Sequence, residues 1–347
     1  MHKNEHELGN DLPPLTIGPV TLSGRAILAP MSGVTDVGMR RLAMRFGASL
    51  VVSEMVASDD YVRGEEESRI RAEGAGVAPH VVQIAGRDPH WMAEAAKLAE
   101  HSGAAIVDIN MGCPAKKVTG GYAGSALMRD LDHALALIEA TVAAVKIPVT
   151  LKMRLGWDDR WRNAPELARR AEVAGVQLIT VHGRTRCQFY KGGADWAAIR
   201  AVRDAMRVPL VANGDCETAD DAANMLRLSG ADAVMVGRAA VGQPWLVGDI
   251  AHALRTGRQR AQLSAAARFG AAVEHYDTLL DLFGEAQGLR HARKHLVGYA
   301  EKSRAADHAE FTALRGELVT SQSPAHVRRL LRQLGDMDDA APLREAA

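Results

Sequence analysis

The chain has 347 residues, enough for about two domains of ~150 residues, or for one barrel of ~250 residues with a small appendage. Hydrophobic residues make up 47% and charged residues 24%, which excludes a disordered or fibrous chain. Lys and Arg number 42 against 42 Asp and Glu, so no global field draws the chain to nucleic acid or membrane, and any basic surface is local.

The opening MHKNEHELGNDLPP lacks the apolar core of a signal peptide and reads as a polar leader over residues 1–14. Eight short apolar runs follow: Ala26–Ala29, Leu50–Val52, His80–Ile84, Ala105–Ile109, Pro148–Met153, Leu178–Val181, Pro209–Ala212 and Ala233–Val236. Their apolarity is continuous rather than alternating, as parallel strands buried on both faces require. Between them lie Ala-rich amphipathic stretches: His90–His101, Leu131–Val145, Ala164–Ala174, Trp196–Met206 and Ala219–Leu228. Several stop at Gly (Gly103, Gly175, Gly230) or before Pro (Pro148, Pro209), the usual helix stops. Eight β-then-α units predict an α/β fold, a (β/α)8 TIM barrel over residues 15–244. From about Leu246 the strand runs cease and Ala-, Leu- and Arg-rich helical patterns begin, such as Ala265–Phe283 and Pro324–Leu334. They predict a small all-helical C-terminal domain over 245–335, with a frayed tail over 336–347.

No run of about 18 apolar residues is present, so no membrane partner is expected. Three cysteines exclude a disulfide scaffold and fit a reducing, cytoplasmic setting. None forms a CxxC pair and the histidines are scattered, so no metal site is expected.

Barrel chemistry collects at the C-terminal strand ends. Those ends carry Pro30-Met31-Ser32-Gly33, Ser53-Glu54, Gln83, Asn110-Met111-Gly112-Cys113-Pro114, Lys152-Met153-Arg154, His182-Gly183-Arg184, Asn213-Gly214-Asp215 and Gly237-Arg238. Glycines after strands seven and eight let backbone amides approach an anion, and Arg238 adds charge, so this pair predicts a phosphate site. Lys152 closes a buried strand and needs an anion there: a phosphate, a ribityl oxygen or the N1–C2=O edge of a reduced flavin. Arg184 and Arg186, beside His182, present two guanidiniums that invite phosphate. Pro114 keeps Cys113 out of the helical region. Its thiol is thereby presented on a loop, and with an ordinary pKa near ~8.5 it can act as an acid at neutral pH. Cys187 and Cys216 lack that setting and read as structural. Two basic clusters remain, Lys116-Lys117 and the segment Arg290–Arg304. On a helix Arg290, Arg293 and Lys294 share a face, which predicts polyanion binding.

The segments AILAPMSGVTD, VVQIAG, DINMGCPAKKVTGGYAGSAL, LKMRLGW, ITVHGRTRCQFYKG, VPLVANGD and ADAVMVGRAAVGQPW resemble those of the tRNA-dihydrouridine synthases, and most of all the bacterial DusB, or NifR3-like, branch. The resemblance runs from about Leu15 to Leu334 and includes RHARKHLVGY. It implies an FMN-binding barrel followed by a helical tRNA-binding domain, with NADPH or NADH as reductant and tRNA as partner. It further implies FMN contacts from Pro30, Met31, Ser32, Gln83, Lys152 and His182. Phosphate binding falls to Asn213, Gly214, Asp215, Gly237 and Arg238. Cys113 is then the acid and Asn110 holds the target base, with Lys116, Lys117, Arg154, Arg184, Arg186, Arg290, Arg293 and Lys294 as further substrate contacts. The expected reaction saturates the C5=C6 bond of one D-loop uridine, position 17 by analogy with the branch, in a monomeric enzyme. TGGY at Thr119–Tyr122 and Cys216 after NGD depart from the family pattern. The leader lies outside it. A different enzyme reading is an FMN barrel dehydrogenase acting on a free pyrimidine or a dihydroorotate-like metabolite. A non-enzymatic one is an RNA-binding shell without chemistry.

Overall fold

A computed structural model describes residues 13–341. Most of the expected leader (1–12) and the last residues (342–347) lie outside the described residues. The strands are β1 (Thr16–Ile17), β2 (Val20–Thr21), β3 (Ala26–Leu28), β4 (Leu50–Val51), β5 (Met55–Ala57), β6 (Val81–Ala85), β7 (Ile106–Met111), β8 (Val149–Arg154), β9 (Leu178–His182), β10 (Leu210–Asn213) and β11 (Ala233–Val236). Each of the eight apolar runs overlaps a strand, and five of those strands continue one or two residues past the run. Nine strands form one sheet in the order β4-β3-β11-β10-β9-β8-β7-β6-β5, with every pairing parallel. The two ends of that order, β4 and β5, are halves of one strand position broken at Val52–Glu54, and the Ser53 amide bonds to the Val81 carbonyl at 3.0 Å across the break. The sheet is therefore a TIM barrel of eight strand positions, the second one split.

The short hairpin β1–β2 sits beneath the barrel. Its Ile17, with Leu15 and Leu22, joins a buried interior layer of Ile27, Leu50, Val81, Ile106, Leu178, Val211 and Met235. This plug leaves only the opposite end, where the strands finish, open for chemistry. Four of the outer helices start on side-chain caps that satisfy otherwise orphan amides. Asp88 caps Pro89–His101 through the His90 amide at 2.8 Å, and Thr218 and Asp221 form a capping box on Ala219–Ser229. Gly230 ends that last helix at φ 68°, as expected. The stretch expected as a helix over Trp196–Met206 is shorter, a 3-10 turn over Ala197–Ile199 followed by Arg200–Ala205.

Two expected boundaries move. The helix Leu246–Thr256 places Val247, Ile250 and Ala251 in the barrel core, so the barrel layer extends past Pro244 to about residue 257. At the other end, the helix from Pro324 runs to Ala340, beyond the expected start of the tail at 336. The reason is Asp338, fully buried, which accepts from Ser303 Oγ at 3.0 Å and from the Arg304 amide at 2.6 Å, and pairs with Arg268.

The helical region is built on Ala265–Glu301, broken at Gly284 (φ 70°, ψ 165°). The two halves fold back on each other, bringing His275 beside His295 and Phe283 onto His291. Their apolar faces join Trp245, Leu314, Leu318, Val327, Leu331 and Leu334 in a second core. A buried polar joint ties this hairpin to the barrel. His275 Nε2 lies 3.1 Å from Asp36 Oδ2, its Nδ1 lies 3.1 Å from the Tyr299 hydroxyl, and His295 Nε2 lies 3.4 Å from the same Asp36 oxygen. Asp36 also caps the helix Val37–Arg45 through the Met39 amide at 3.0 Å. Burial alone would raise the Asp36 carboxyl, but His275, by charge and hydrogen bond, and the Met39 amide hold it well below the usual range.

His295 has no hydrogen-bond partner at either ring nitrogen among the described residues, and burial beside His275 lowers its pKa to about 3. A histidine kept neutral in the fold resists a proton that the unfolded chain accepts near ~6.5. Between about 6.5 and 3 the unfolded state binds more protons, so stability falls as pH falls, on the order of 1 kcal/mol per pH unit. Thermal melts at pH 7, 6 and 5 are expected to show a declining midpoint. Replacing His295 by Leu should flatten that slope.

Candidate active site

The strand ends surround a cavity of about 1190 Å³. It exceeds the ~300–1,000 Å³ of a typical single-ligand pocket, leaving room for two flat groups together. Pro30, Met31, Ser32, Gln83, Asn110, Cys113, Lys152, Arg154, His182, Asn213, Gly214, Asp215, Gly237 and Arg238 line it, and so does Lys117. Lys116, Arg184, Arg186, Arg290, Arg293 and Lys294 do not. Arg63, Arg71 and Arg87, which the strand-end pattern did not single out, also line it.

Strand register explains how the deep wall is assembled. Gln83 pairs with Asp108 and Asp108 with Thr150, so the three form one row across β6, β7 and β8. Gln83 Nε2 donates to Asp108 Oδ2 at 2.6 Å and Thr150 Oγ1 donates to Asp108 Oδ1 at 2.5 Å. Asp108 is 4% exposed, and burial raises its pKa against the pull of those two donors and of Lys152. The row two residues further along starts with Asn110 opposite Lys152. Asn110 Nδ2 donates to Gln83 Oε1 at 2.8 Å, and its Oδ1 accepts from the amides of Gly112 (3.1 Å) and Cys113 (2.9 Å). The thiol loop is thus fastened to the deep wall by one amide side chain. The Cys113 carbonyl is held in turn by Ser125, through its amide at 3.1 Å and its Oγ at 2.8 Å. Burial pushes the Cys113 thiol up, although Arg154 and Lys152 pull the other way, so it stays protonated at neutral pH.

Lys152 Nζ donates to Asn213 Oδ1 at 3.0 Å, and Asn213 Nδ2 donates to the Met235 carbonyl at 2.8 Å. One bond leaves the ammonium two further protons to offer. Burial and Arg154 lower its pKa to about 8. His182 is 9% exposed. Burial and the surrounding Lys152, Arg154, Arg184 and Arg238 hold it well below its ordinary value, so it is neutral. Gly214 lies against it at φ 119°, where a Cβ would approach His182 Cδ2 to 2.8 Å and Ala194 Cβ to 2.7 Å. Among the described residues, no backbone or side-chain acceptor meets the amides of Gly214, Asp215, Gly237 or Arg238. Four free amides beside a guanidinium make an anion cradle.

Several basic residues do other work than expected. Arg184 is 2% exposed and pairs with the Asp215 carboxylate at 2.9 and 2.5 Å, with further bonds to the Lys191 and Gly192 carbonyls. It is a buried strut rather than a grip for substrate phosphate. Asp215 also meets Arg238 at 3.2 Å and the Ala194 amide at 2.8 Å, so its carboxylate organises the two arginines and only its amide is open to an anion. Arg154 is 1% exposed and donates to the carbonyls of Gly112, Thr185 and Phe189, bracing the cavity wall. Arg186 stacks on Trp157 (4.9 Å) and Phe189 (4.8 Å). Lys294 donates to the Gly33 carbonyl, pinning the loop after β3 instead of standing free. Arg290, Arg293, Lys116 and Lys117 are exposed. Cys187 is exposed and Cys216 buried.

The most informative residues that sequence reasoning missed are Asp108 and Tyr190. An acid inside the apolar run AIVDI was the available signal for Asp108. Tyr190, 51% exposed, stands over the mouth with Arg238 at 5.0 Å and Arg154 at 5.5 Å from its ring.

Comparison with known proteins places this geometry. The chain is 62% identical over 82% of its length, and 87% of the other's, to a Rhizobium leguminosarum bv. phaseoli protein named "Probable tRNA-dihydrouridine synthase". It is 51% identical to a protein of that name from Rhodobacter capsulatus, over 94% of this chain and 99% of the other. It is 45% identical to "tRNA-dihydrouridine synthase B" of Xanthomonas campestris pv. campestris, over 93% and 96%. Among solved structures, histamine dehydrogenase from Rhizobium sp. 4-9 shares the fold, with TM-score 0.54 and 15% identity over 79% of this chain and 51% of that one. The family model described as "Dihydrouridine synthase (Dus)" matches residues 27–335, and on that match and those identities the chain belongs to the dihydrouridine synthase family of oxidoreductases.

Proposed function

We propose that this chain reduces the C5=C6 bond of a D-loop uridine in tRNA, with FMN as the resident cofactor and NADPH as the reductant. The carrying observation is that a protonated thiol, Cys113, faces the same cavity as a partly buried ammonium, Lys152, and a four-amide anion cradle. That donor set fits FMN: the cradle at Gly214, Asp215, Gly237 and Arg238 suits its phosphate, and Lys152 with Gln83 suits the polar edge of its ring, near Pro30, Met31 and Ser32. Bound there and reduced by NADPH, FMN would supply the hydride for C6 of the pyrimidine. Cys113 holds the proton for C5. Asn110, locked by Gln83 and two loop amides, orients the base. His182, being neutral, offers no competing charge. The cavity is too deep for a base inside folded RNA, so the nucleotide is flipped out at a cost of about a few kcal/mol. The exposed Lys116, Lys117, Arg290 and Arg293 meet RNA phosphates, and each such contact contributes about one unit to the salt slope of binding.

Purified protein is expected to be yellow, to oxidise NADPH, and to form dihydrouridine in tRNA from a strain lacking the gene, with position 17 modified. A colourless protein that gains no absorbance with FMN refutes the cofactor assignment. Turnover on free uracil or orotate with none on tRNA decides for a metabolite dehydrogenase.

A further inference from the structure

Trp, Tyr and Phe number five each in this chain, yet Tyr122, Trp157, Trp161, Phe189 and Tyr190 all stand around the barrel mouth. Two of them are among the most exposed large apolar side chains of the described residues, Tyr122 at 63% and Trp161 at 54%. Leaving such rings in water is unfavourable unless something covers them. They flank a second hollow of about 450 Å³, lined also by Arg129, His133 and Trp157. Arg129 lies between its walls, 4.4 Å from the Trp157 ring and 5.9 Å from the Tyr122 ring. The hollow adjoins the active cavity. Tyr122 lines the hollow while its chain neighbours Gly121 and Ala123 line the cavity, and Tyr122 takes a left-handed φ of 57° in the loop that carries Cys113. One thickness of backbone separates the two. Nothing in the proposed reaction uses Tyr122.

We propose that this hollow is a second nucleotide subsite, which stacks an unpaired base of the same RNA strand adjacent to the base that enters the active cavity. The inference rests on the reading of the substrate as tRNA. The chemistry selects a base over a phosphate. Aromatic faces and a guanidinium plane are what unstacked bases lie on. The two carboxylates at the rim, Asp130 and Asp158, repel phosphate and are themselves turned to backbone amides, at His133 (3.0 Å) and at Arg160 (2.9 Å) and Trp161 (3.1 Å). The linking phosphate finds exposed Lys117 at the border of the cavity. Filling the subsite holds the strand as the target base swings inward, so its contribution belongs to binding rather than to proton transfer.

The test measures affinity of the FMN-loaded protein for an unmodified tRNA transcript. Tyr122→Ala and Trp161→Ala are each expected to weaken binding about tenfold, and Tyr122→Phe, which keeps a stacking face, by no more than about twofold. Flavin content, NADPH oxidation and kcat at saturating tRNA should stay at wild-type levels. Abasic substitutions placed one at a time in the D-loop should include one that weakens wild type but adds nothing to Tyr122→Ala. If both alanine variants bind like wild type while wild type binds and modifies tRNA, the subsite is refuted and the proposed function stands. A wild-type protein that neither binds nor modifies tRNA removes both.

Discussion

Replacing Cys113 by alanine is expected to reduce dihydrouridine formation by about 10²- to 10⁴-fold, the usual contribution of a positioned general acid. The loss should fall on the tRNA half of the reaction alone. Cys113 lies on the loop held by Asn110 and Ser125, whereas the cradle proposed for the cofactor phosphate sits across the barrel on the loops after β10 and β11. The variant should therefore keep its yellow colour, its NADPH oxidation and its affinity for tRNA. Single-turnover assays with pre-reduced enzyme separate the two halves. The raised thiol pKa adds a sign to the pH profile: the acid form persists through neutral pH, so the wild-type rate should stay level there and decline only above the ordinary thiol range. Cys113→Ser retains a proton donor and should fall between wild type and alanine. Full activity in the alanine variant would remove the thiol from the mechanism.

The largest stability effect is expected from Asp215→Ala. Among the described residues, this substitution strips the only carboxylate from the Arg184 guanidinium, which is 2% exposed. An ion left unpaired inside a protein costs about 3–5 kcal/mol. At ~2–4 °C per kcal/mol for a barrel of this size the melting midpoint should drop by roughly 6–20 °C. Arg238 and the Ala194 amide lose a partner as well, so cofactor retention should weaken along with stability. Adding Arg184→Met should restore part of the midpoint, since an apolar side chain of similar length tolerates the same site. A single variant that melts with wild type would show that the pair carries no weight.

Much of the barrel is legible in the sequence because burial on both faces writes itself as unbroken apolar runs. The split second strand is not, since its break depends on a bond between the Ser53 amide and Val81, which no local pattern announces. Site residues divide in the same way. Cys113, Lys152 and Asn213 stand out because a thiol, an ammonium or an amide ends an apolar strand. Asp108 also interrupts an apolar run, but only register shows Gln83 and Thr150 flanking it. Arg184 reads as a phosphate contact from HGRTR alone, and its true partner lies 31 residues further along the chain. Lys294 reads as part of a free basic face, and its acceptor lies 261 residues earlier. Local composition reports what a side chain can do. Which partner claims it first is a long-range fact.

The joint between Asp36, His275 and His295, together with Lys294 on Gly33, means the helical hairpin cannot be regarded as a detachable handle. Its Lys294 clasps the loop that begins with Pro30 and Met31, two residues of the cavity wall, so the hairpin also trims the rim of the cavity. A truncated barrel would strip Asp36 of its two imidazole neighbours and free the Gly33 loop, loosening the wall of the cavity. Acquiring or losing the appendage in the history of such a chain would thus require rebuilding the first strand's exit at the same time.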